Sequence, residues 1–314
     1  MTPAMPAPAA AEPALVTASY GRHYLVRPSE SGGELIAVSR GKRTDACVGD
    51  LVSILRTGEG QAVIESISPR RNRILRSDLW RSKLLAANVD QVGVVLAGDP
   101  PFSEELLLRI LCAASVAGVP VALIANKIDL GEAHAAIRAR LDACRAMGLP
   151  VFEIAARGDA DAVRDTLRGW LEHRTTLLVG QSGMGKSTLV NTLVPDADLR
   201  TQAISTALAT GRHTTTFSRL FDLPETVATD ARLIDTPGFQ TFGIAHLSAS
   251  QLAHAMPEFA PFLGRCRFND CTHRDEPGCA VRAAMEAGEI DGRRFQLYSR
   301  LVEETLNAPS RPRP

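Results

Sequence analysis

The chain has 314 residues, of which 45% are hydrophobic and 22% are charged, and its formal net charge is zero. This composition is typical of globular domains, is sufficient for roughly two or three of them, and excludes wholesale disorder. Because cationic and anionic residues balance, any contact with nucleic acid must depend on local basic patches. No apolar run approaches the ~20 residues that span a bilayer, so we expect no membrane partner.

The N-terminal part predicts a small barrel preceded by a tail. Residues 1–13 are rich in Ala and Pro and lack the basic start and apolar core of a signal peptide, so we predict a flexible tail. In residues 14–76, short apolar runs alternate with turns of Gly and Asp. Roughly four or five strands in this length favour a β-barrel, for which an OB-type RNA-binding barrel is one candidate. The strand-like runs are 24–26, 34–38, 51–55 and 62–67.

A basic segment follows the barrel pattern. Its cations, opposed by a single Asp78, are Arg70, Arg71, Arg73, Arg76, Arg81 and Lys83. A solvated charged face is the usual explanation of such a run, and contact with RNA phosphates is the alternative. The charge pattern alone leaves both open.

From about residue 88 the pattern changes to alternating strands and helices. The run 89–97 has few polar breaks, as expected for a strand that is buried on both faces. Ser103, followed by two glutamates, predicts the N-cap of a helix. Two junctions of glycine and proline, within 117–121 and 147–151, each predict the end of a helix and the start of a strand. This alternation predicts a multidomain α/β protein whose mostly parallel sheet carries helices on both faces.

An N-K-x-D sequence lies at the end of a predicted strand. It consists of Asn126, Lys127, Ile128 and Asp129. Ligands of nucleotide-binding sheets bind beyond the carboxyl ends of the strands. The Asp129 carboxylate can accept both N–H groups of guanine, Asn126 can bond the base edge, and the Lys127 stem can lie over the ring. Alone, so short a sequence also fits an exposed turn.

The stretch 180–188 matches G-x-x-x-x-G-K-[ST] between an apolar run and a helical pattern, which is the context of a phosphate loop. Its residues are Gly180, Gln181, Ser182, Gly183, Met184, Gly185, Lys186, Ser187 and Thr188. Glycines let backbone N–H groups surround an anion at the positive end of a helix dipole. We expect Lys186 to act in catalysis by reaching the β- and γ-phosphates, and the Ser187 hydroxyl to hold Mg²⁺. Together with N-K-x-D, this loop predicts GTP rather than ATP.

Two later segments predict the remainder of the Mg²⁺ site and a sensor of the γ-phosphate. In 211–216, clustered hydroxyls offer Thr214 or Thr215 as a further Mg²⁺ ligand. Asp235 ends an apolar run and is predicted to be the acid behind Mg²⁺, with the Gly238 N–H as the sensor.

The order of these motifs is unusual. In most GTPases the phosphate loop comes first, whereas here N-K-x-D precedes it. The same sheet can form if the chain is circularly permuted, because domain termini often lie close together. We therefore predict a circularly permuted GTPase domain over residues 77–244.

The C-terminal part, 245–314, carries a cluster of thiol and imidazole groups and is predicted to be a helical domain. The cluster consists of Cys266, Cys271, His273 and Cys279. Three thiolates and one imidazole suit a structural Zn²⁺ with no open position, and three unrelated buried cysteines are the alternative. Arginines and aromatic residues alternate around the cluster, as suits RNA phosphates and unstacked bases. The other three cysteines lie among apolar residues and are predicted to be reduced packing residues. Because the same chain carries a nucleotide loop, we expect a reducing cytoplasm.

These motifs together resemble the circularly permuted, ribosome small-subunit-dependent GTPases, the ribosome small-subunit-dependent GTPase A family. The resemblance covers nearly all of the chain after residue 14 and rests on 86–92, 126–129, 180–188, 211–216, 235–239, 270–273 and 276–279. It implies an OB barrel, a permuted GTPase domain and a zinc-binding helical domain. It also implies late maturation of the small ribosomal subunit, with GTP hydrolysis stimulated by that subunit and its rRNA.

Two departures from the usual GTPase pattern bear on the mechanism. The fifth GTPase box, expected near 154–158, lacks its common serine or threonine. Phe239 stands where Ras-type proteins have the glutamine that orients the attacking water, so we predict slow intrinsic hydrolysis and assign that role to His213 as a hypothesis. We predict a monomeric GTP hydrolase. The alternatives are a GTPase that assists tRNA modification and a GTP-sensing, RNA-binding scaffold.

Overall fold

A computed structural model describes residues 11–30, 32–40, 46–77, 82–195, 197 and 217–307. The described strands are β1 (Glu12–Tyr20), β2 (His23–Pro28), β3 (Leu35–Ser39), β4 (Leu51–Gly58), β5 (Gln61–Ile67), β6 (Arg73–Ser77), β7 (Ser82–Ala87), β8 (Gln91–Leu96), β9 (Val121–Ala125), β10 (Val151–Glu153), β11 (Thr175–Gly180), β12 (Arg219–Asp222) and β13 (Arg232–Asp235). The described helices are α1 (Glu104–Val116), α2 (Gly131–Ala146), α3 (Ala160–Leu171), α4 (Lys186–Leu193), α5 (Ala249–His254), a 3-10 turn (Pro257–Phe259), α6 (Ala280–Glu286) and α7 (Gly292–Leu306).

Strands β1 to β5 close into a barrel. Their order is β1-β2-β3-β5-β4, and β4 pairs back onto β1. The β3–β5 pair is parallel and the other pairs are antiparallel. This order confirms the predicted OB-type barrel. The strand β1, which begins at Glu12, was not predicted, because its inward residues include the small Ala14 and Ala18 and the alternation of apolar side chains is weak.

The six strands β8 to β13 form the sheet of the predicted α/β domain. Strands β10, β9, β8, β11 and β13 are parallel neighbours in that order, and β12 is antiparallel at the end. All six residues of β8 are buried, as the apolar run predicted. The predicted N-cap is also confirmed, since the Ser103 Oγ accepts a hydrogen bond from the Leu106 N–H at 3.1 Å. Strand β11, which leads into the phosphate loop, lies between β8 and β13 in the sheet. Strand β8 precedes the phosphate loop in the sequence, and β13 follows it.

The barrel and the α/β domain share one sheet. Strand β12 pairs with β13 on one side and, at Ala18 and Arg219, with β1 of the barrel on the other. The hairpin β6–β7 bonds to both parts: the Ala87 N–H donates to the Val48 carbonyl before β4 at 2.9 Å, and the Ser77 N–H donates to the Gly243 carbonyl after β13 at 2.7 Å.

The C-terminal helices pack against helix α1. Tyr298 and Phe259 are buried at the centre of this part, with ring centroids 4.8 Å apart. The Arg109 guanidinium of α1 donates to Glu304 of α7 at 2.9 Å. Among the described residues, no helix combines the length and apolar character required to cross a membrane. The boundaries predicted at 13/14, 76/77 and 244/245 stay predictions.

Candidate nucleotide and metal sites

The phosphate loop turns between β11 and α4 through two left-handed glycines. Gly183 has φ 87° and Gly185 has φ 85°, a region that side chains disfavour. A Cβ atom on Gly185 would collide with the Asn126 Nδ2 atom. Glycine is therefore required at 185 both by the turn and by the close approach of the N-K-x-D segment.

A cleft of about 660 Å³ lies over this loop. Its lining comprises Asp99, Asn126, Lys127, Asp129, Leu130, Ala156, Arg157, Gln181, Ser182, Gly183, Gly185, Lys186, Ser187, Thr188 and Gly238. The fold thus brings together the N-K-x-D sequence, the phosphate loop and Gly238, which are far apart in the chain. Asp99 was not predicted, whereas Ala156 and Arg157 belong to the segment 154–158 that was expected to hold the fifth GTPase box. Asp99 follows β8 closely, so its place just beyond the carboxyl end of a parallel strand was an available signal.

Asn126 holds three segments of the cleft together. The residue is 2% exposed, its Nδ2 donates to the Met184 carbonyl at 3.0 Å, and its Oδ1 accepts from the Ala156 N–H at 2.9 Å. Neither contact was evident from the sequence. The buried amide therefore fixes the phosphate loop and the segment after β10 relative to β9, whereas its predicted contact with the base edge stays a prediction.

The other three residues of the N-K-x-D sequence differ in their contacts. Lys127 has φ 64°, and its Nζ donates to the Asp99 carbonyl at 2.7 Å, so its stem lies along the cleft wall. The Ile128 N–H donates to the Ile154 carbonyl at 3.2 Å. Asp129 is exposed at the rim, where its carboxylate is accessible to a ligand.

Lys186 and Asp235 form an ion pair at the floor of the cleft. Lys186 is 6% exposed and Asp235 is 9% exposed, so both charges are largely withdrawn from water. Such a pair requires both partners, because one buried charge without the other is costly. The side chain predicted to contact phosphate and the carboxylate predicted to lie behind Mg²⁺ are therefore adjacent.

The segment after Asp235 returns to the phosphate loop. The Phe239 N–H donates to the Gly180 carbonyl at 3.0 Å, which places Gly238 at the cleft. The Phe239 ring is 3% exposed and packs edge-on to Phe242, with the Arg76 guanidinium 5.0 Å from its centroid. Phe239 is thus a packing residue with no group that could orient water. His213, Thr214 and Thr215 lie outside the described residues.

The four predicted metal ligands converge near the C-terminus. The donor atoms of Cys266, Cys271, His273 and Cys279 all lie within 4.8 Å of one another. The Cys266 Sγ is 3.9 Å from the Cys279 Sγ and 3.4 Å from the His273 Nδ1. Zn–S bonds of about 2.3 Å in a tetrahedron require Sγ–Sγ edges of roughly 3.8 Å, so this set fits a tetrahedral, thiolate-rich metal site.

Glu276 organises the loop that carries these ligands. Its carboxylate accepts hydrogen bonds from the Thr272 N–H and Oγ1, both at 2.6 Å, and from the Arg274 N–H at 3.0 Å. Burial alone would raise the pKa of Glu276, but these hydrogen bonds lower it to about 2. The Tyr298 hydroxyl donates to the Thr272 carbonyl at 2.8 Å and fixes the same loop to α7.

The basic segment after the barrel lines a surface groove, and two of its arginines form ion pairs. It contributes to a groove of about 690 Å³ lined by Arg40, Ile64, Glu65, Ser66, Ile67, Ser68, Arg70, Arg71, Asn72 and Arg73. Within it, Arg70 pairs with the buried Asp50 at 2.7 Å, and Arg71 pairs with Asp90 at 2.8 Å. These two arginines therefore stabilise the barrel and its junction with β8, while Arg73 is exposed.

The strand order and the cleft define a class of protein: a circularly permuted P-loop GTPase with an N-terminal barrel and a C-terminal Cys₃His cluster. A family model described as RsgA GTPase matches residues 67–245. The chain belongs to the RsgA GTPase family, whose members are hydrolases that act on GTP.

Individual relatives agree with this assignment. The chain is 49% identical over 290 residues to the small ribosomal subunit biogenesis GTPase RsgA of Paraburkholderia phymatum, covering 92% of this chain and 90% of that one. Among solved structures it is similar to YjeQ from Thermotoga maritima, with TM-score 0.69 and 26% identity over 95% of this chain and 99% of that one. YloQ, described as a circularly permuted GTPase, has TM-score 0.66 over 96% and 98%, and at 24% identity it supports the fold alone.

Proposed function

We propose that this protein hydrolyses GTP to GDP and phosphate in late maturation of the small ribosomal subunit, whose rRNA it binds and which stimulates it. The observation that carries the proposal is the cleft, in which the guanine-type N-K-x-D sequence, the phosphate loop and Gly238 line one volume. The names of the curated relatives support the ribosomal part.

The residues of the cleft have distinct roles in this proposal. Lys186 exchanges its contact with Asp235 for the β- and γ-phosphates and neutralises charge that develops on them. Gly238 donates its N–H to the γ-phosphate, and the phosphate loop surrounds the β-phosphate. Ser187, Asp235 and either Thr214 or Thr215 would hold Mg²⁺, which would supply further positive charge beside the phosphates. His213 as the residue that positions water stays a prediction.

The selectivity for guanine rests on Asp129. We expect Asp129→Asn to weaken GTP binding by about 10²-fold or more, because an amide cannot accept both N–H donors of guanine. The same variant should bind xanthosine triphosphate better than the unmodified protein does, since xanthine has an oxygen in place of the 2-amino group. Nucleotide titration monitored by fluorescence measures both affinities. Glu132→Gln, an exposed acid at the start of α2, is the control and should bind GTP normally; equal GTP affinity in all three proteins would contradict the role of Asp129.

A structural Zn²⁺ is the ion that we propose for the Cys₃His cluster. Three thiolates and an imidazole are soft donors that suit Zn²⁺, and four protein ligands leave no position for a substrate. All six cysteines are free, as a reducing cytoplasm requires. We propose that the protein acts there as a monomer.

Two surfaces suit rRNA. The groove beside the barrel presents arginines, and near the metal cluster the Arg267 guanidinium lies 5.5 Å from the centroid of Phe268, which is 42% exposed. An exposed aromatic ring beside a cation can stack on an unpaired base and contact its phosphate. Both surfaces belong to the domains that flank the nucleotide cleft.

The experiment that tests the proposed function compares GTP hydrolysis with and without isolated small ribosomal subunits. We expect stimulation of at least several-fold by small subunits, because a missing water-orienting glutamine leaves intrinsic hydrolysis slow. Large subunits are the control and should not stimulate. Equal, slow hydrolysis in all mixtures would refute the ribosomal role and favour a GTP-sensing scaffold.

A further inference from the structure

Strand β12 connects the barrel to the strand that ends in Asp235. Arg219 lies opposite Ala18 of β1 on one side and opposite Asp235 of β13 on the other. Directly opposite residues of an antiparallel pair project on the same face, with Cβ atoms about 4.5–5.5 Å apart. The position of β12 therefore influences where the Asp235 carboxylate lies.

Arg219 is a buried charge whose described ion-pair partner belongs to the barrel. Arg219 is 7% exposed, and its Nη2 donates to the Glu34 Oε2 at 3.2 Å. Its Nε and Nη1 atoms have no hydrogen-bond partner among the described residues. A buried guanidinium with two open donors depends strongly on the partner it does have.

Glu34 is itself held by the barrel. The Thr17 Oγ1 of β1 donates to the Glu34 Oε1 at 2.7 Å, and Thr17 is 1% exposed. One oxygen of this carboxylate thus binds the barrel and the other binds Arg219. The same face of β12 carries Phe221, whose ring centroid is 5.4 Å from the Arg219 guanidinium.

The far end of β12 offers a contrast in the same interface. There Asp222 pairs with Arg27 of the barrel, and its side chain is 51% exposed. Exposed ion pairs contribute little, because solvent and salt screen them. Each end of β12 thus forms an ion pair with the barrel, and the pair at Arg219 is more buried than the pair at Asp222.

We propose that Glu34 and Arg219 are positioning residues through which the barrel holds Asp235 in place for Mg²⁺. This inference rests on the proposed function, in which Asp235 lies behind Mg²⁺. Removing the Glu34 charge takes the described ion-pair partner away from the buried Arg219 guanidinium, so β12 shifts or loosens and displaces Asp235. The apparent affinity for Mg²⁺ falls as a result, although neither residue contacts the ion.

The test is a Mg²⁺ titration of GTP hydrolysis and of GTP-analogue binding, without ribosomes. We expect Glu34→Gln to raise the half-saturating Mg²⁺ concentration by about tenfold, as for other residues that orient metal ligands. GDP binding without Mg²⁺ should stay within about twofold. Asp222→Asn is the matched control at the exposed end of β12 and should leave the Mg²⁺ dependence unchanged. Arg219→Lys, which keeps the charge and loses the planar fork, should give an intermediate shift.

The outcomes separate this inference from the function on which it rests. An Asp235→Asn variant is measured in the same series. A normal Mg²⁺ dependence in Asp235→Asn would refute the assignment of that residue, whereas a shift in Asp235→Asn with none in Glu34→Gln would refute only the role of Glu34. Equal shifts in Glu34→Gln and Asp222→Asn would indicate general loosening of the interface and would also overturn the proposal. If Glu34→Gln fails to fold, Arg219→Lys decides: an unshifted Mg²⁺ dependence then refutes the inference.

Discussion

Replacing Lys186 by alanine is expected to lower the rate of GTP hydrolysis by about 10³-fold, which is the largest effect that we predict for a single side chain. The ammonium group belongs to the phosphate loop and lines the cleft, and loss of one such stabilising group typically costs about 10²–10³-fold in kcat. The variant also removes the ammonium group that pairs with Asp235, which is 9% exposed. Single-turnover hydrolysis at saturating GTP and Mg²⁺ measures the effect on chemistry.

The controls for Lys186 separate charge from packing. Lys186→Arg keeps the charge in a larger, planar group that fits the loop poorly, so we expect a loss smaller than for alanine. Lys83→Ala removes an exposed lysine of β7 outside the cleft and should leave intrinsic hydrolysis unchanged. Hydrolysis by Lys186→Ala within about tenfold of the unmodified protein would contradict the proposed role, since that is less than one such group supplies.

Loss of the metal is expected to unfold the C-terminal helical domain. Structural Zn²⁺ contributes an apparent binding free energy of about 10–16 kcal/mol in small domains. Helices α5 and α6 have 6 and 7 residues, too few to be stable without tertiary support. Cys271→Ser should therefore lose the bound metal and all protection from hydrogen exchange in residues 249–286. Metal analysis of the purified protein together with mass-spectrometric hydrogen exchange measures both.

The nucleotide cleft should survive that change. Its lining residues lie between Asp99 and Gly238, outside the metal loop, so the unstimulated GTP hydrolysis of Cys271→Ser is expected to stay within about threefold. Cys144→Ala, a free buried cysteine of α2, is the control for removal of a thiol and should keep its metal and its exchange protection. Unchanged protection in metal-free Cys271→Ser would show that side-chain packing around Tyr298 suffices and would refute the structural role of the metal.

Much of the cleft was predictable because its residues lie in short, contiguous motifs with strict local requirements. A left-handed glycine before Lys186, a strand that ends immediately before Asn126 and an acid at the end of β13 each follow from local chemistry. The same applies to strand β8, because a continuous apolar run within an α/β pattern indicates a strand that is buried on both faces. The relative order of the motifs predicted the permutation.

Other features depend on partners that are distant in the chain, and no local pattern announces them. Arg70 and Arg71 belong to a run that suggests a solvated or RNA-binding face, yet they pair with Asp50 and Asp90. Strand β12 has only four residues and was missed, because a short run flanked by polar residues carries little periodicity.

Residue types at fixed spacing encode the nucleotide motifs, the cluster of three cysteines and one histidine, and the barrel-plus-α/β organisation, so these features could be predicted from the sequence. The connections between these parts became evident only in the folded chain. The tertiary structure alone placed Asn126 between the phosphate loop and Ala156, and Arg219 between the barrel and Asp235. The physical reason is that pairing register and burial arise from contacts across the whole sheet: a polar side chain acquires a structural role only when the fold removes it from water and supplies its partner.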